Sequence, residues 1–522
     1  MPKRYAVDHL ADAELRQFDR PTLPAPEEIQ SVYLIGICGT GMGSLAGLIR
    51  QSGRSVRGSD SGVYPPMSTY LERVGITIDS PYAAANLDAA ADLVVVGNAC
   101  TPRHEEATRA RDERRLQASF PETLAHLFLQ DRKALVLAGT HGKTTSTAML
   151  VHLLRTLGQQ PSYLIGGVPA DGTASFSVGD GAHFVIEGDE YDSAYFDKRP
   201  KFLHYRPHGA VITSVEWDHL DIYATPEDYV AAFEDLVDLI PSAGHLVIPA
   251  DTPHGDALAG RTGARVTRTA IVDVLPGAPS GAGESAMGES ATGGRDTGTS
   301  LLAARIDRED QAGIHISLWH SLAPSITYQG ILPVVGRHNV LNALNVLAIA
   351  WGEGLALGDS LAAMATFAGM KRRAQLLLST PTITVVDDFA HHPTAVKETL
   401  QGLRHRFSDR RLVAVFEPRS NSSRRRAFEA AYIEAFTMAD LTLLQMPAAR
   451  HNDRAEDFIR ADRMIETLQE RGHAGWISYA YDDLYAYLMA SWQPGDVILF
   501  MSNGAFGGLP ARFASSVQPP QR

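Results

Sequence analysis

Cys38 and Cys100 are the only cysteines in 522 residues, and neither stands in a CxxC or other metal-type spacing. That excludes a disulfide-built scaffold and a structural zinc ribbon, and it fits a reducing compartment. Basic residues are also short: 47 Lys+Arg face 60 Asp+Glu, a net charge of −13, so the electrostatic footprint of a nucleic-acid binder is missing. No stretch of about 18 uncharged apolar residues is available to cross a membrane. The opening segment MPKRYAVDHLADAELRQFDRPTLPAPEEIQ has no apolar core of the kind a signal peptide needs. The expectation is a cytoplasmic protein with no nucleic-acid, membrane or obligate protein partner. An acidic total leaves room for anionic small ligands, because a phosphate site is local, made of backbone N–H groups and one or two cations.

What is present is an ordinary globular composition, 44% hydrophobic and 20% charged, in a chain long enough for about three domains. Apolar runs alternate with helical patterns throughout, which predicts an α/β fold of three units with parallel sheets. A first, Rossmann-like unit (1–131) opens with the strand Val32–Ile37 and a glycine turn, then a helix over Ser44–Ser52, and strands at Ser55–Gly58 and Leu93–Gly97. A central unit (132–378) has strands at Ala134–Ala138, Phe184–Glu187 and Ala210–Thr213. Helices are predicted over Pro226–Leu239 and His338–Gly352, and the Gly/Ser/Ala-rich segment 274–300 reads as a flexible insertion. A second Rossmann-like unit (379–522) carries strands Ile383–Asp387, Leu412–Phe416, Leu441–Leu444 and Val497–Met501, with a helix over Arg424–Thr437.

The strongest chemical signal is Ala138-Gly139-Thr140-His141-Gly142-Lys143-Thr144-Thr145, set between a strand and a helix. A triphosphate needs backbone N–H groups turned toward its oxygens, a lysine for the β/γ charge and a hydroxyl for magnesium, and Gly142, Lys143 and Thr144 supply them. The strict GxxxxGK[ST] pattern fails, since Leu137 stands where its first glycine belongs. Glu187-Gly188-Asp189-Glu190 ends the next apolar strand and Glu216-Trp217-Asp218-His219-Leu220-Asp221 follows another. Strand ends of a parallel sheet are where ligands bind, so Glu187 is expected to share Mg²⁺ with Thr144, and His219 to hold a second divalent ion. Taken singly, each cluster could be no more than a solvated strand end. The glycine turn from Gly36 reads G-I-C-G-T-G, with Cys38 in place of the second glycine of a dinucleotide fingerprint.

These residues resemble the Mur ligases, ATP-dependent amide-forming enzymes of peptidoglycan synthesis. The resemblance covers nearly the whole chain: GTHGKTT, EGDE and EWDH, together with Gly336-Arg337-His338-Asn339-Val340-Leu341-Asn342-Ala343, Gly369-Met370-Lys371-Arg372-Arg373 and Asp387-Asp388-Phe389-Ala390-His391-His392-Pro393. The last two runs, with Gly36–Met42, look most like the branch that uses UDP-N-acetylmuramate. Within that branch, Val63–Ser68, Asp192 with Tyr195–Arg199, His204–Pro207, Glu417–Ser422 and Ser502–Gly508 are most similar to ligases that salvage wall peptide. The alternative is addition of L-alanine. More distant alternatives are a folylpolyglutamate-type ligase, a dinucleotide oxidoreductase with an accessory NTPase unit, and a non-enzymatic nucleotide-binding regulator.

The resemblance implies ATP, Mg²⁺, UDP-N-acetylmuramate and the tripeptide L-alanyl-γ-D-glutamyl-meso-diaminopimelate. It implies catalytic roles for Lys143, Glu187 and His219, with Thr144, Glu187 and His219 as metal ligands. Gly139, Thr140, His141, Gly142, Lys143, Thr144 and Thr145 would hold ATP phosphates, joined by Asn339, Asn342, Arg372, Arg373 and Asp388 around the rest of the nucleotide. Asn339 and Asn342 could instead be helix caps. Gly39, Thr40, Gly41, Met42, Asp60 and Asn98 would take the UDP-sugar. Arg419, Asn421, Arg450 and His451, with Asn452 and Asp453, are candidates for the peptide. Several relatives carry a carbamylated lysine about fifteen residues after the histidine. Tyr229–Pro241 contains no lysine, so either Glu234 substitutes or the second ion is held differently.

Overall fold

A computed structural model describes residues 3–64, 67–87, 90–219, 222–276, 298–310, 312–446 and 457–518. Three α/β sheets follow one another along the chain. In the first, Thr77–Asp79, Ser55–Ser59, Ser31–Ile35, Leu93–Val96 and Gln117–Ser119 lie side by side in that order, all parallel. The order reverses between Ser31–Ile35 and Leu93–Val96, so the crevice at their C-terminal ends is the natural ligand position of a doubly wound sheet. Leu93–Val96 is wholly buried, as β-branched strands covered on both faces should be.

The central sheet has ten strands among the described residues. Its middle places His183–Gly188, Lys133–Ala138 and Gly209–Ile212 next to one another in parallel, with Leu137 opposite Glu187 and Ala138 opposite both Gly188 and Ile212. Three adjacent strands therefore release their chains at the same edge. His245–Pro249 and Arg265–Ile271 continue the parallel part, and an antiparallel meander, Thr299–Asp310, Gly313–His320 and Thr327–Leu332, extends it. Thr299 and Ser300 belong to this meander, paired with Val266 and Thr267, so the end of the expected 274–300 insertion is strand. Residues 277–297 lie outside the described residues.

In the third sheet Ile383–Asp388, Asp496–Met501 and Leu412–Phe416 are adjacent and parallel, with Gln375–Ser379 antiparallel at one edge. The helix expected over Arg424–Thr437 is shorter: a 3₁₀ turn at Arg426–Phe428 leads into Glu429–Phe436. Arg425 is instead drawn into a β-bridge with Phe458. The helix predicted from Ser44 starts earlier, at Thr40, directly against the glycine turn.

The first and central sheets share one continuous apolar cluster that includes Leu34, Leu45, Phe120, Phe128, Phe184, Phe202 and Phe233. The N-terminal segment reinforces the join. Arg16 donates to the Tyr195 carbonyl at 2.8 Å and Tyr5 donates to Asp235 at 2.9 Å, while Arg20 ties the segment to its own unit by a two-pronged bond to Glu122 at 2.9 and 3.1 Å. Glu122 also closes a capping box with Ser119. No helix among the described residues is long and apolar enough to cross a membrane.

Candidate functional site

The strand Lys133–Ala138 runs into Gly139–Gly142 and then the helix Lys143–Thr156. Gly142 has φ +79°, and a Cβ there would stand 2.4 Å from Asn342 Oδ1, so only glycine fits this turn. Neighbouring strand ends shape the loop: Ser214 Oγ accepts from His141 N at 3.0 Å, while Thr140 Oγ1 donates to the Glu216 carbonyl at 2.9 Å and accepts from Glu216 N at 2.8 Å. Thr145 is buried on the helix behind. The N-terminus of that helix and its free N–H groups form a ready anion site.

Lys143 Nζ does not project into empty space. It donates to Glu190 at 2.9 and 3.1 Å and to the Gly139 carbonyl at 2.5 Å. His219 Nε2 meets the same Glu190 at 2.9 Å, and Tyr223 donates to the Glu190 carbonyl at 2.7 Å. Glu190 is completely buried. Burial alone would raise its carboxyl, but Lys143 and His219 outweigh that and hold it at about 2. Burial opposes the charges on Lys143 and His219 as well, yet the carboxylates around them raise both. His219 itself has φ +54°, a left-handed backbone that a histidine adopts only where its surroundings fix it. Asp218 Oδ1 caps its N–H at 2.7 Å.

Glu187 lies on the other side of the loop, accepting from Gly166 N at 2.9 Å. Burial, then Asp189, push its carboxyl up, against Thr144, the Gly166 N–H and Lys143. A carboxylate whose charge is disfavoured by burial and by Asp189 is an oxygen donor of the kind that suits a hard divalent cation.

Arg372 and Arg373 separate in space. Arg373 Nη2 reaches Thr144 Oγ1 at 3.2 Å, while Arg372 is tied to the Ser502 carbonyl at 2.6 Å and to that of Gly504. Asn342 presses on Gly142 and donates to Asn339 Oδ1 at 3.2 Å, and Asn339 donates back to the Val335 carbonyl at 2.8 Å. Neither asparagine caps the helix Arg337–Gly352, whose N-cap is Gly336. Asp388 is buried and accepts from Ala374 N at 2.5 Å and Ala390 N at 2.6 Å.

The third sheet meets the loop edge-on. Thr394 donates to Glu216 Oε2 at 2.6 Å, and the rings of His141 and His392 are 4.7 Å apart. Burial would raise the Asp218 carboxyl, but His219 and then Ser422 hold it low. Arg419 and Asn421 sit on that same loop before Ser422, and Arg419 packs against Gly504. Arg450, His451, Asn452 and Asp453 lie outside the described residues, as does Asp221. Glu234 does not approach His219: it pairs with Arg261 at 3.4 Å on the outer side of its helix. Glu190 holds the position at the histidine instead. Its role was missed because EGDE offers three carboxylates and spacing alone does not say which faces the lysine.

In the first unit, the turn after Ser31–Ile35 leads into the helix Thr40–Gln51, with Gly39 as its N-cap and Gly41 and Met42 in its first turn. Asp60 accepts from Cys38 N at 2.9 Å and Gly62 N at 2.8 Å, so it braces the glycine turn. Asn98, after Leu93–Val96, donates to Asp192 of the central unit at 3.2 Å.

Family comparison agrees along the chain. Residues 31–132 match the description "Mur ligase family, catalytic domain", 137–350 "Mur ligase middle domain" and 372–504 "Mur ligase, glutamate ligase domain". UDP-N-acetylmuramate–L-alanyl-γ-D-glutamyl-meso-2,6-diaminoheptandioate ligase of Escherichia coli is 36% identical over 92% of this chain and 96% of its own length. A UDP-N-acetylmuramate–L-alanine ligase of Desulfitobacterium hafniense is 29% identical over 91% and 97%. Among solved structures, a murein peptide ligase from Psychrobacter arcticus superposes with a TM-score of 0.66 at 34% identity, covering 93% of this chain and 98% of that one.

Proposed function

Given that the chain belongs to the Mur ligase family and is an ATP-dependent ligase, we propose that it joins the carboxylate of UDP-N-acetylmuramate to the amine of L-alanyl-γ-D-glutamyl-meso-diaminopimelate. A carboxylate resists amines because it is anionic and would have to expel oxide. Transfer of the ATP γ-phosphoryl group to it gives an acyl phosphate, and attack by the amine through a tetrahedral intermediate then expels phosphate. Enzymes achieve phosphoryl transfer chiefly by positioning and electrostatics. The N–H groups of Gly139–Thr144 and the Lys143 ammonium cradle the β/γ-phosphates, and Arg373 adds a second cation from the far side of Thr144. The Asn339–Asn342 face borders the nucleotide, and the turn braced by Asp60 takes the UDP diphosphate.

Thr144 and Glu187 suit a Mg²⁺ ion, which would neutralise charge on the transferring phosphate. A second ion would take His219 with Glu190, in exchange for the proton those two share. Arg419, packed against Gly504, and Asn421 on the same loop would border the side from which the amine arrives.

The observation that carries this reading is that the phosphate loop and His219, from adjacent strand ends, are joined through Lys143 and Glu190, with Arg373 of a third segment on Thr144. The test is phosphate release from ATP and UDP-N-acetylmuramate with the tripeptide or with L-alanine as acceptor. Faster turnover with the tripeptide supports the proposal; preference for L-alanine transfers the chain to the alanine-adding branch.

A further inference from the structure

Beside the phosphate loop, and apart from Thr144, Glu187, Glu190 and His219, three side chains from different strands face one another. His141 comes from the loop itself, Glu216 from the end of Gly209–Ile212, and His392 from the third sheet, immediately before the helix Pro393–Arg406. Glu216 Oε2 is 3.4 Å from His141 Nε2 and 3.9 Å from His392 Nδ1, and the three donor atoms all lie within 4.8 Å of one another. His392 is 7% exposed, yet neither of its ring nitrogens has a hydrogen-bond partner, and His141 Nε2 is buried without one too. Buried polar atoms are nearly always partnered, so two orphaned nitrogens facing one carboxylate, His141 Nε2 and His392 Nδ1, are a site waiting for something.

Two ligands of a tetrahedral ion with bonds near 2.0 Å stand about 3.3 Å apart, so the observed spacings need only a small contraction. We propose that His141, Glu216 and His392 bind a transition-metal ion of the zinc class, with one position open, bridging the central and C-terminal units. Imidazole donors select this class over Mg²⁺. Thr394, donating to Glu216 Oε2 at 2.6 Å, supplies the outer contact that orients such a carboxylate. The other cluster of similar composition, Glu122, Asp197 and His204, is already occupied by guanidinium groups. Arg20 bonds Glu122 at 2.9 Å and Arg199 bonds Asp197, so a cation has no vacancy there.

The test is titration of the metal-free full chain with Co²⁺ in excess Mg²⁺ and without nucleotide, followed by the visible absorption of four-coordinate cobalt. A signal is expected in the wild type and in Glu187→Gln, and it should fall at least tenfold in His392→Asn and in Glu216→Gln while their far-UV circular dichroism stays unchanged. X-ray absorption of the Zn²⁺ form should show two imidazoles. No four-coordinate signal in the wild type, a signal unchanged in His392→Asn, or a zinc shell without imidazole pairs would each overturn the assignment, the first and last without any variant having to fold.

Discussion

Replacing Glu190 by Gln keeps the shape of the side chain and removes its charge, leaving Lys143 and His219 cationic around a neutral amide. Glu190 is fully buried and makes contacts of 2.9 Å to each of them. Breaking a buried ion pair by removing one partner costs about 3–5 kcal/mol. At about 2–4 °C per kcal/mol for a unit of 150–250 residues, the central unit should melt roughly 6–20 °C lower. The pH dependence has a definite sign. Glu190 is depressed to about 2, so its contribution is complete above the ordinary carboxylate range and is lost as pH falls toward 2. His219 is raised, so its contribution is complete below the ordinary imidazole value and is lost as pH climbs through the raised one. The gap between wild type and variant should therefore be widest between about pH 5 and 6.5. Scanning calorimetry of chelator-treated protein reads it directly. A non-hydrolysable ATP analogue should restore more stability to the variant than to the wild type, because its phosphates replace the missing anion at Lys143. Equal melting of the two proteins across that window, or equal gain from the analogue, would refute the idea that Glu190 holds the lysine in the free enzyme.

Lys143→Ala should lower ADP formation by about 10²–10³-fold, with UDP-sugar binding by calorimetry retained. Gly142→Ala, which places a Cβ 2.4 Å from Asn342 Oδ1 at a positive φ, should weaken ATP binding measured by fluorescence titration while leaving the first unit's ligand untouched. Arg373→Lys should reduce kcat about tenfold or more by losing the reach to Thr144; Arg372→Lys should instead lower melting temperature, since its guanidinium holds the Ser502 and Gly504 carbonyls.

The three-unit α/β architecture was legible because its strands are short apolar runs alternating with helical patterns, two of them, Leu93–Val96 and Lys133–Ala138, running straight into a glycine. Strand ends carrying charge were legible too, and they proved to be neighbours because parallel strands release their chains at one edge. What spacing could not reveal is partner choice. GKTT says a lysine follows a glycine; it does not say that Glu190, three residues past Glu187, will hold it. The adjacent arginines 372 and 373 read as equivalents, yet Arg372, with φ +58°, turns to one sheet's loop while Arg373 reaches another's. Asp60 shows the same limit: its position after a strand made it a candidate for the UDP-sugar, but nothing in the spacing told that its oxygens accept from Cys38 N and Gly62 N and so brace the glycine turn itself.

The pairing of Lys143 bears on how the chemistry is timed. A lysine that already donates to Glu190 and to its own loop carbonyl gives a triphosphate nothing until those bonds are exchanged. The exchange frees Glu190, which is the carboxylate touching His219. On the proposed reading, nucleotide arrival at the first sheet-end is thereby coupled to the state of the second, where Asp218 caps the His219 N–H. Phosphate binding and the readiness of His219 are then linked by three side chains in direct contact, Lys143, Glu190 and His219. Uncoupling them at Glu190 should therefore lower kcat as well as disturb the KM of ATP, whereas a purely local phosphate loop would alter that KM alone.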